Sequence, residues 1–211
     1  MKNYYKMVVI MGLCSFFLTL GLSPLASVAF SSPQVTKKLA QPVTAAVVAK
    51  RGMSGVRIEQ LQIMLAEIGF YKKPVDGEFG TGTEQAVRAF ERRCGKVPTG
   101  FVTAALEAEL RAASKLDLTK CQRLVLDATA YSPEDPGNGS YTATGELLRK
   151  GIVAVDPYVI ALGTQMYIVG YGHGRAADTG GAIQGNIIDV GFATHHEALS
   201  FGRRNVIVYL M

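Results

Sequence analysis

The fold of the C-terminal half is decided by the stretch Ala177-Asp178-Thr179-Gly180-Gly181-Ala182-Ile183, followed by Ile187-Ile188-Asp189-Val190. Asp189 interrupts an apolar, strand-like run, where an unpaired carboxylate costs free energy unless it faces a cleft or a partner. Asp178 opens a glycine-rich loop that returns the chain to Asp189 eleven residues later. We therefore expect the two aspartates to lie close together.

Short β-prone runs surround this stretch from residue 124 to residue 211, and turns rich in glycine and proline separate most of them. One short helix is predicted at His195–Phe201. Many short strands in fewer than ninety residues predict a small closed barrel, with Asp178 and Asp189 lining one of its mouths. The runs are Leu124-Val125-Leu126, Ile152-Val153-Ala154-Val155, Gln165-Met166-Tyr167-Ile168-Val169, Ile187-Ile188-Asp189-Val190 and Val206-Ile207-Val208-Tyr209-Leu210.

Residues 124–211 also contain an ordered series of short motifs. These are Thr129-Ala130-Tyr131-Ser132, Thr142-Ala143-Thr144-Gly145, Ile152-Val153-Ala154-Val155-Asp156-Pro157, Leu162-Gly163-Thr164, Gly170-Tyr171-Gly172, Ala177 to Ile183, and Ile188-Asp189-Val190. With these motifs the segment resembles the 3D (three-aspartate) domain, which is related to the barrel of the MltA-type lytic transglycosylases. The resemblance implies a six-stranded double-psi β-barrel, with Asp189 as the catalytic acid and Asp178 as its neighbour.

The chemistry that this resemblance implies needs one carboxyl group. A lytic transglycosylase protonates the glycosidic oxygen and lets the 6-hydroxyl of the same sugar attack, so one group acts as acid and then as base. The pKa of that group must be raised, and a second carboxylate nearby raises it by like-charge repulsion. The residues predicted to bind substrate or to stabilise developing charge are Tyr131, Thr144, Asp156, Thr179, Gly180 and Gly181.

The first half of the folded chain, residues 52–112, has a helical pattern. Val56, Leu61, Leu65 and Ile68 lie near one face of a helix that ends at Gly69. A second helix is predicted after Gly80, with Thr81 and Glu84 as a capping box, and a third after Thr103.

Several short motifs keep a fixed order in this region. They are Leu61-Gln62, Leu65, Gly69-Phe70-Tyr71, Asp76-Gly77-Glu78-Phe79-Gly80, Thr83-Glu84 and Ala86-Val87-Arg88-Ala89-Phe90. With them the region resembles the three-helix peptidoglycan-binding domain of many wall hydrolases. Glu91 stands where that family usually has glutamine, and Thr99 where it commonly has aspartate. The predicted wall contacts are Tyr71, Asp76 and Arg88.

The N-terminus is predicted to be a signal peptide, residues 1–29. Lys2 and Lys6 precede an apolar run from Met7 to about Leu25, and Ser27-Val28-Ala29 offers a cleavage site. A retained membrane anchor is the alternative. Residues 30–51 and 113–123 are predicted to be linkers.

Cleavage would remove Cys14 and leave Cys94 and Cys121 in an oxidising compartment. The sequence leaves open whether these two form a disulfide. Cleavage would also leave 20 basic against 17 acidic residues, a mild positive charge that suits anionic wall polymers. No basic run points to nucleic acid.

Other chemistries find little support in the sequence. No metal motif includes His173, His195 or His196, and no serine lies in a nucleophile elbow, so we expect no metal and no cofactor. The predicted protein is an exported, wall-associated monomer without stable membrane association, which binds peptidoglycan and cuts its glycan strands. The alternative is a barrel that binds the glycan without cutting it.

Overall fold

The computed structural model describes residues 46–211, which lie within one compact unit. The predicted signal peptide, Cys14 and most of the first predicted linker lie outside the described residues. Within residues 46–211, no helix is long and apolar enough to cross a membrane.

The helical module consists of β1 (Val47–Ala49), α1 (Val56–Glu67), α2 (Thr81–Arg93), β2 (Val102–Thr103) and α3 (Ala104–Ser114). The three predicted helices are confirmed. Gly69 follows α1 with φ +80°, a conformation that favours glycine, and the Thr103 hydroxyl accepts the Leu106 amide at the start of α3. The predicted capping box is wrong, because Gly80 is the N-cap of α2 and Glu84 pairs with Arg88 instead.

Both predicted linkers contribute to folded structure. Strand β1 pairs antiparallel with β2, and Ala49 is buried, so the end of segment 30–51 belongs to the helical module. In segment 113–123, Leu116 and Leu118 are buried in the same core, and a 3-10 turn spans Leu118–Lys120. Their apolar side chains explain why this segment packs although its composition is polar.

The second half is a closed barrel of six strands, as predicted. The strands are β3 (Gln122–Tyr131), β4 (Ile152–Ala154), β5 (Gln165–Ile168), β6 (Gly172–Asp178), β7 (Ile187–Gly191) and β8 (Arg204–Leu210), with helix α4 (His195–Phe201) before the last. Around the barrel the order is β3-β7-β4-β6-β5-β8. The pairs β3–β7 and β4–β6 are parallel and the other four are antiparallel.

A buried carboxylate joins the helical module to the barrel. Glu59 on α1 accepts two hydrogen bonds from Arg123 at the start of β3, both 2.9 Å, and one from the Tyr209 hydroxyl on β8 at 2.6 Å. Burial alone would raise the pKa of Glu59, but the bonds from Arg123 and Tyr209 outweigh it and lower the pKa. Tyr167 and Tyr209 also pack into the core of the helical module. The two halves therefore share a packed, charged interface.

The helical module has a turn around Asp76 and Gly77 and a second turn around Thr99 and Gly100, and one buried side chain holds each of them, Gln62 the first and Glu91 the second. The Gln62 amide nitrogen donates to Asp76 Oδ1 at 2.7 Å, and its oxygen accepts the Gly77 amide at 2.9 Å. In the second turn the roles are exchanged: the Thr99 hydroxyl donates to Glu91, whose other oxygen accepts the Gly100 amide at 2.8 Å. The departures at residues 91 and 99 thus form one donor–acceptor pair.

Cys94 and Cys121 are both free, so the disulfide that the sequence left open is not formed. Cys94 is exposed just after α2, whereas the Cys121 thiol contacts the carbonyl oxygen of Asp117 at 3.4 Å, beside the 3-10 turn.

Candidate active site

Asp189 lies on the outer face of the barrel sheet. Its neighbours Ile188 and Val190 point into the barrel core, and side chains alternate along a strand. The parallel neighbour β3 places Thr129 beside it, and the Thr129 hydroxyl donates to Asp189 Oδ1 at 2.8 Å. The strand therefore presents Asp189 away from the barrel core, whereas Asp178 is the last residue of β6.

Burial dominates the electrostatics of Asp189. It raises the pKa of the carboxyl to about 6, against an ordinary value of 3.8. The hydrogen bond from Thr129 opposes the rise, while the charges of Asp135 and Asp178 add to it. A carboxyl group with this pKa exchanges a proton near neutral pH, as a general acid must.

Asp178 lies at the end of β6, on the other side of β4. Ala154 of β4 is the register partner of Asp178 on one side and of Asp189 on the other. Two strand spacings separate the backbones of the aspartates by about 10 Å. The sequence-based expectation that Asp178 sets the pKa of Asp189 thus overstates its effect, since burial comes first and the charge of Asp178 contributes least.

Three donors hold the Asp178 carboxylate. The Tyr131 hydroxyl donates to Oδ2 at 2.7 Å, and the amides of Ala143 and Thr179 each donate to Oδ1 at 2.8 Å. Burial is the main cause of a strongly raised pKa of Tyr131, and the bond to Asp178 adds to it. Tyr131 is therefore a neutral donor at physiological pH, and it connects the ends of β3 and β6.

Asp135 was not predicted from the sequence. It accepts the Ser132 amide at 2.7 Å and the Ser132 hydroxyl at 3.0 Å, and it pairs with His195 Nδ1. Burial would raise its pKa, but the bonds from His195 and Ser132 lower it, so Asp135 is a carboxylate whose charge acts on Asp189. The spacing Ser132-x-x-Asp135 is a turn signal, and nothing in it points to a site.

The other predicted substrate residues surround Asp178 or its loop. The Thr144 hydroxyl donates to the Ala177 carbonyl at 2.8 Å, which attaches the 140–148 loop to β6. Asp156 accepts hydrogen bonds from the backbone amides of Tyr158 at 2.9 Å and Gly185 at 2.7 Å. The bond from Gly185 attaches the end of the glycine-rich loop to Asp156. Thr179, Gly180 and Gly181 lie exposed in that loop.

The three predicted wall contacts are engaged within the helical module. Tyr71 is only 6% exposed, and its hydroxyl donates to the Pro74 carbonyl at 3.1 Å. Asp76 Oδ1 accepts the hydrogen bond from the side-chain amide of Gln62. Arg88 donates to Glu84 at 2.8 Å and to the carbonyl of Pro98. The structure thus brings Tyr71 and Asp76 together around one turn, and Arg88 braces the other.

Within residues 46–211, no group of three or more His, Cys, Asp and Glu side chains is arranged to hold a metal ion. Of the histidines considered as ligands, His195 pairs with Asp135, and His173 lies 3.5 Å from Glu67 in the helical module.

Comparison with known proteins gives two family matches and several relatives. Residues 54–110 match the family described as a putative peptidoglycan binding domain, and residues 151–211 match the 3D domain. The cell wall-binding protein YocH of Bacillus subtilis is 45% identical over 94 residues, which are 43% of this chain and 33% of YocH. A spore cortex-lytic enzyme of Bacillus cereus is 32% identical over 98 residues, which are 46% of this chain and 32% of that enzyme.

Among solved structures, MltA from E. coli is 20% identical, with a TM-score of 0.29, over 36% of this chain and 28% of MltA. The chain spans about a third of the length of the curated relatives named above. The two family matches follow each other along the chain and coincide with the helical module and with most of the barrel. The chain therefore carries a peptidoglycan-binding domain followed by a 3D domain.

Proposed function

We propose that the helical module holds the protein on peptidoglycan while the barrel cleaves the glycan strand as a lytic transglycosylase. The observation that supports this most is the environment of Asp189, a half-buried carboxyl group with a pKa of about 6 on the outer face of the sheet. The proposal places the protein outside the cytoplasmic membrane, at the cell wall. The names of the relatives, cell wall-binding protein and spore cortex-lytic enzyme, agree with that location.

In the proposed reaction, protonated Asp189 donates its proton to the glycosidic oxygen, and the bond from that oxygen to C1 breaks. The 6-hydroxyl oxygen of the same sugar then forms a bond to C1, and the Asp189 carboxylate accepts the proton of that hydroxyl. One sugar leaves with a free hydroxyl and the other as a 1,6-anhydro product. No water is consumed, and Asp189 ends protonated as it began.

Asp178 has a different role in this proposal. An ionised carboxylate only accepts hydrogen bonds, and Tyr131, Ala143 and Thr179 supply three donors. These bonds hold the Asp178 carboxylate in place beside the reacting sugar, where it stabilises the positive charge that develops at C1. The bond from Thr129 keeps the Asp189 carboxyl in one orientation.

The second candidate is a barrel that binds glycan and does not cut it. One specific observation favours it: the relative with 45% identity is named for wall binding alone. Both candidates predict binding to the wall, so only product analysis separates them.

The test is incubation of purified sacculi with the protein and with two variants, followed by analysis of soluble products. We expect 1,6-anhydro fragments from the wild type and about a 10²- to 10⁴-fold slower release from Asp189→Asn. Asp127→Asn is the matched control, because Asp127 lies on the neighbouring strand and bonds Arg203 at the surface. A wild type that binds sacculi and releases no fragments would establish the binding role instead.

A further inference from the structure

A basic cleft of about 350 Å³ lies on the outer face of the barrel, beside the candidate active site. The loop before β4 contributes Arg149 and Lys150, β6 contributes His173 and Arg175, and β5 contributes Gln165. Arg175 and Gln165 are register partners on adjacent strands, so the two side chains lie next to each other on one face. We refer to these five residues as the basic cleft.

The charges of the basic cleft are only partly balanced. Glu146 pairs with Arg175, and Glu67 of the helical module lies 3.5 Å from His173. Neither Arg149 nor Lys150 forms an ion pair with any of the residues that the structure describes. Two cations therefore remain available to a ligand at the edge of the cleft.

Lys150 is also held in place. Its ammonium group lies 5.8 Å from the centre of the Tyr171 ring and 5.9 Å from that of Phe192. Such contacts attract a cation to the ring faces without neutralising it. The ammonium group is thus positioned beside the cleft while its charge is retained.

The basic cleft lies between the candidate active site and the helical module. On β6, Arg175 precedes Asp178 by three residues, which is about 10 Å along an extended strand. On its other side, His173 stacks edge-on against Tyr167, which packs into the core of the helical module. A polymer that reaches from the module to Asp189 along this face would pass the cleft.

We propose that the basic cleft binds the carboxylates of the peptide stems that branch from the glycan strand. This rests on the proposed function, since it takes the glycan to lie across Asp189. About three extended residues span the ~10 Å from Asp178 to Arg175 of the cleft, which is the reach of a short peptide stem. Guanidinium and ammonium groups are the usual partners of carboxylates, and binding there would select glycan that carries peptides.

The experiment measures binding in the Asp189→Asn background, so that cleavage does not consume the ligand. The three probes are a muropeptide oligosaccharide with free stem carboxylates, the same oligosaccharide with those groups amidated, and a peptide-free chitin oligosaccharide. We expect Arg149→Gln with Lys150→Gln to weaken binding of the free-carboxylate probe about tenfold and to reduce its salt dependence. Binding of the other two probes should stay within about twofold.

The control is the double variant Lys115→Gln with Lys120→Gln, which removes the same charge from two exposed positions outside the peptidoglycan-binding domain, beside the 3-10 turn. Equal affinities of the two double variants for the free-carboxylate probe would overturn the proposal. So would a larger loss for a glycerol phosphate polymer than for the muropeptide, which would assign the cleft to wall phosphates. If the chitin oligosaccharide binds and wild-type protein leaves sacculi intact, the proposed cleavage fails, and the tenfold loss still supports the cleft.

Discussion

Replacement of Asp189 by asparagine should stabilise the folded protein at neutral pH. The pKa of Asp189 is about 6 in the folded state and 3.8 in its ordinary environment, so at pH 7 the half-buried carboxylate is ionised at a cost in folding free energy. The difference corresponds to about 3 kcal/mol at 1.36 kcal/mol per pH unit. Because the side chain is partly exposed and solvent screens its charge, we expect about half of this, ~1.5 kcal/mol.

The pH dependence of this gain has a definite sign. Below pH 3.8 the carboxyl is protonated in both the folded and the unfolded chain, so the variant and the wild type should be equally stable. As the pH rises towards 6 the unfolded wild type ionises first, and the wild type loses stability relative to the variant. Above pH 6 the difference should be constant. Asparagine keeps an oxygen that accepts the bond from Thr129, so no packing change is expected to mask it.

The assay is urea unfolding at a series of pH values from 3.5 to 8, with thermal melts in parallel. A gain of ~1.5 kcal/mol corresponds to about 3–6 °C for a domain of this size. Asp127→Asn, which removes a carboxylate whose pKa is lowered chiefly by its bond to Arg203, should give no gain at neutral pH. A variant Asp189→Asn that is no more stable than the wild type at pH 7, or more stable by the same amount at pH 3.5, would refute the reasoning.

Two further predictions concern Glu59, at the interface of the two halves, and Thr129, beside Asp189. Glu59→Ala leaves Arg123 and the Tyr209 hydroxyl without their partner at the interface of the two halves, and should lower the free energy of unfolding by about 3 kcal/mol. The control is Arg57→Ala, which removes an exposed ion pair with Glu107 and should lower the free energy of unfolding by less than about 1 kcal/mol in the same urea experiment. Equal losses for the two variants would contradict the assigned interface. Thr129→Val removes the bond that lowers the pKa of Asp189, so the alkaline limb of the cleavage rate should move to higher pH, and an unmoved limb with normal folding would argue against Asp189 as the acid.

Strand β6 is the barrel strand that the β-prone runs of the sequence do not predict. The other five strands contain the β-prone runs that the sequence displays, whereas β6 reads Gly172-His173-Gly174-Arg175-Ala176-Ala177-Asp178 and has no β-branched residue. Of its two glycines, Gly174 is required by the packing, because a Cβ there would lie 2.8 Å from a methyl group of Val153. Glycine and alanine allow neighbouring strands to pack closely but have low β-propensity, so this strand forms because it pairs with β4 and β5.

The sequence identified the two aspartates of the site, but it did not show their separation or the effect of burial on the pKa of Asp189. The aspartates were recognisable because one interrupts an apolar run and the other opens a glycine-rich loop. Their separation depends on β4, which lies between them, and no spacing in the sequence shows that intervening strand. For the same reason the effect of burial on Asp189 and the approach of Asp135 from the 132–138 loop could not be anticipated, since both arise from contacts between distant segments.

The two departures in the helical module show why residues should be compared in pairs. Taken singly, Glu91 in place of glutamine removes a donor, and Thr99 in place of aspartate removes an acceptor. Together they restore the contact with its polarity reversed, since the Thr99 hydroxyl now donates to the Glu91 carboxylate. The first turn keeps the usual arrangement, in which the Gln62 amide donates to Asp76. The requirement in both turns is one donor and one acceptor across a buried gap, because either group alone would be buried without a partner. A change at one position therefore predicts a compensating change at the other, and it does not by itself indicate a weakened module.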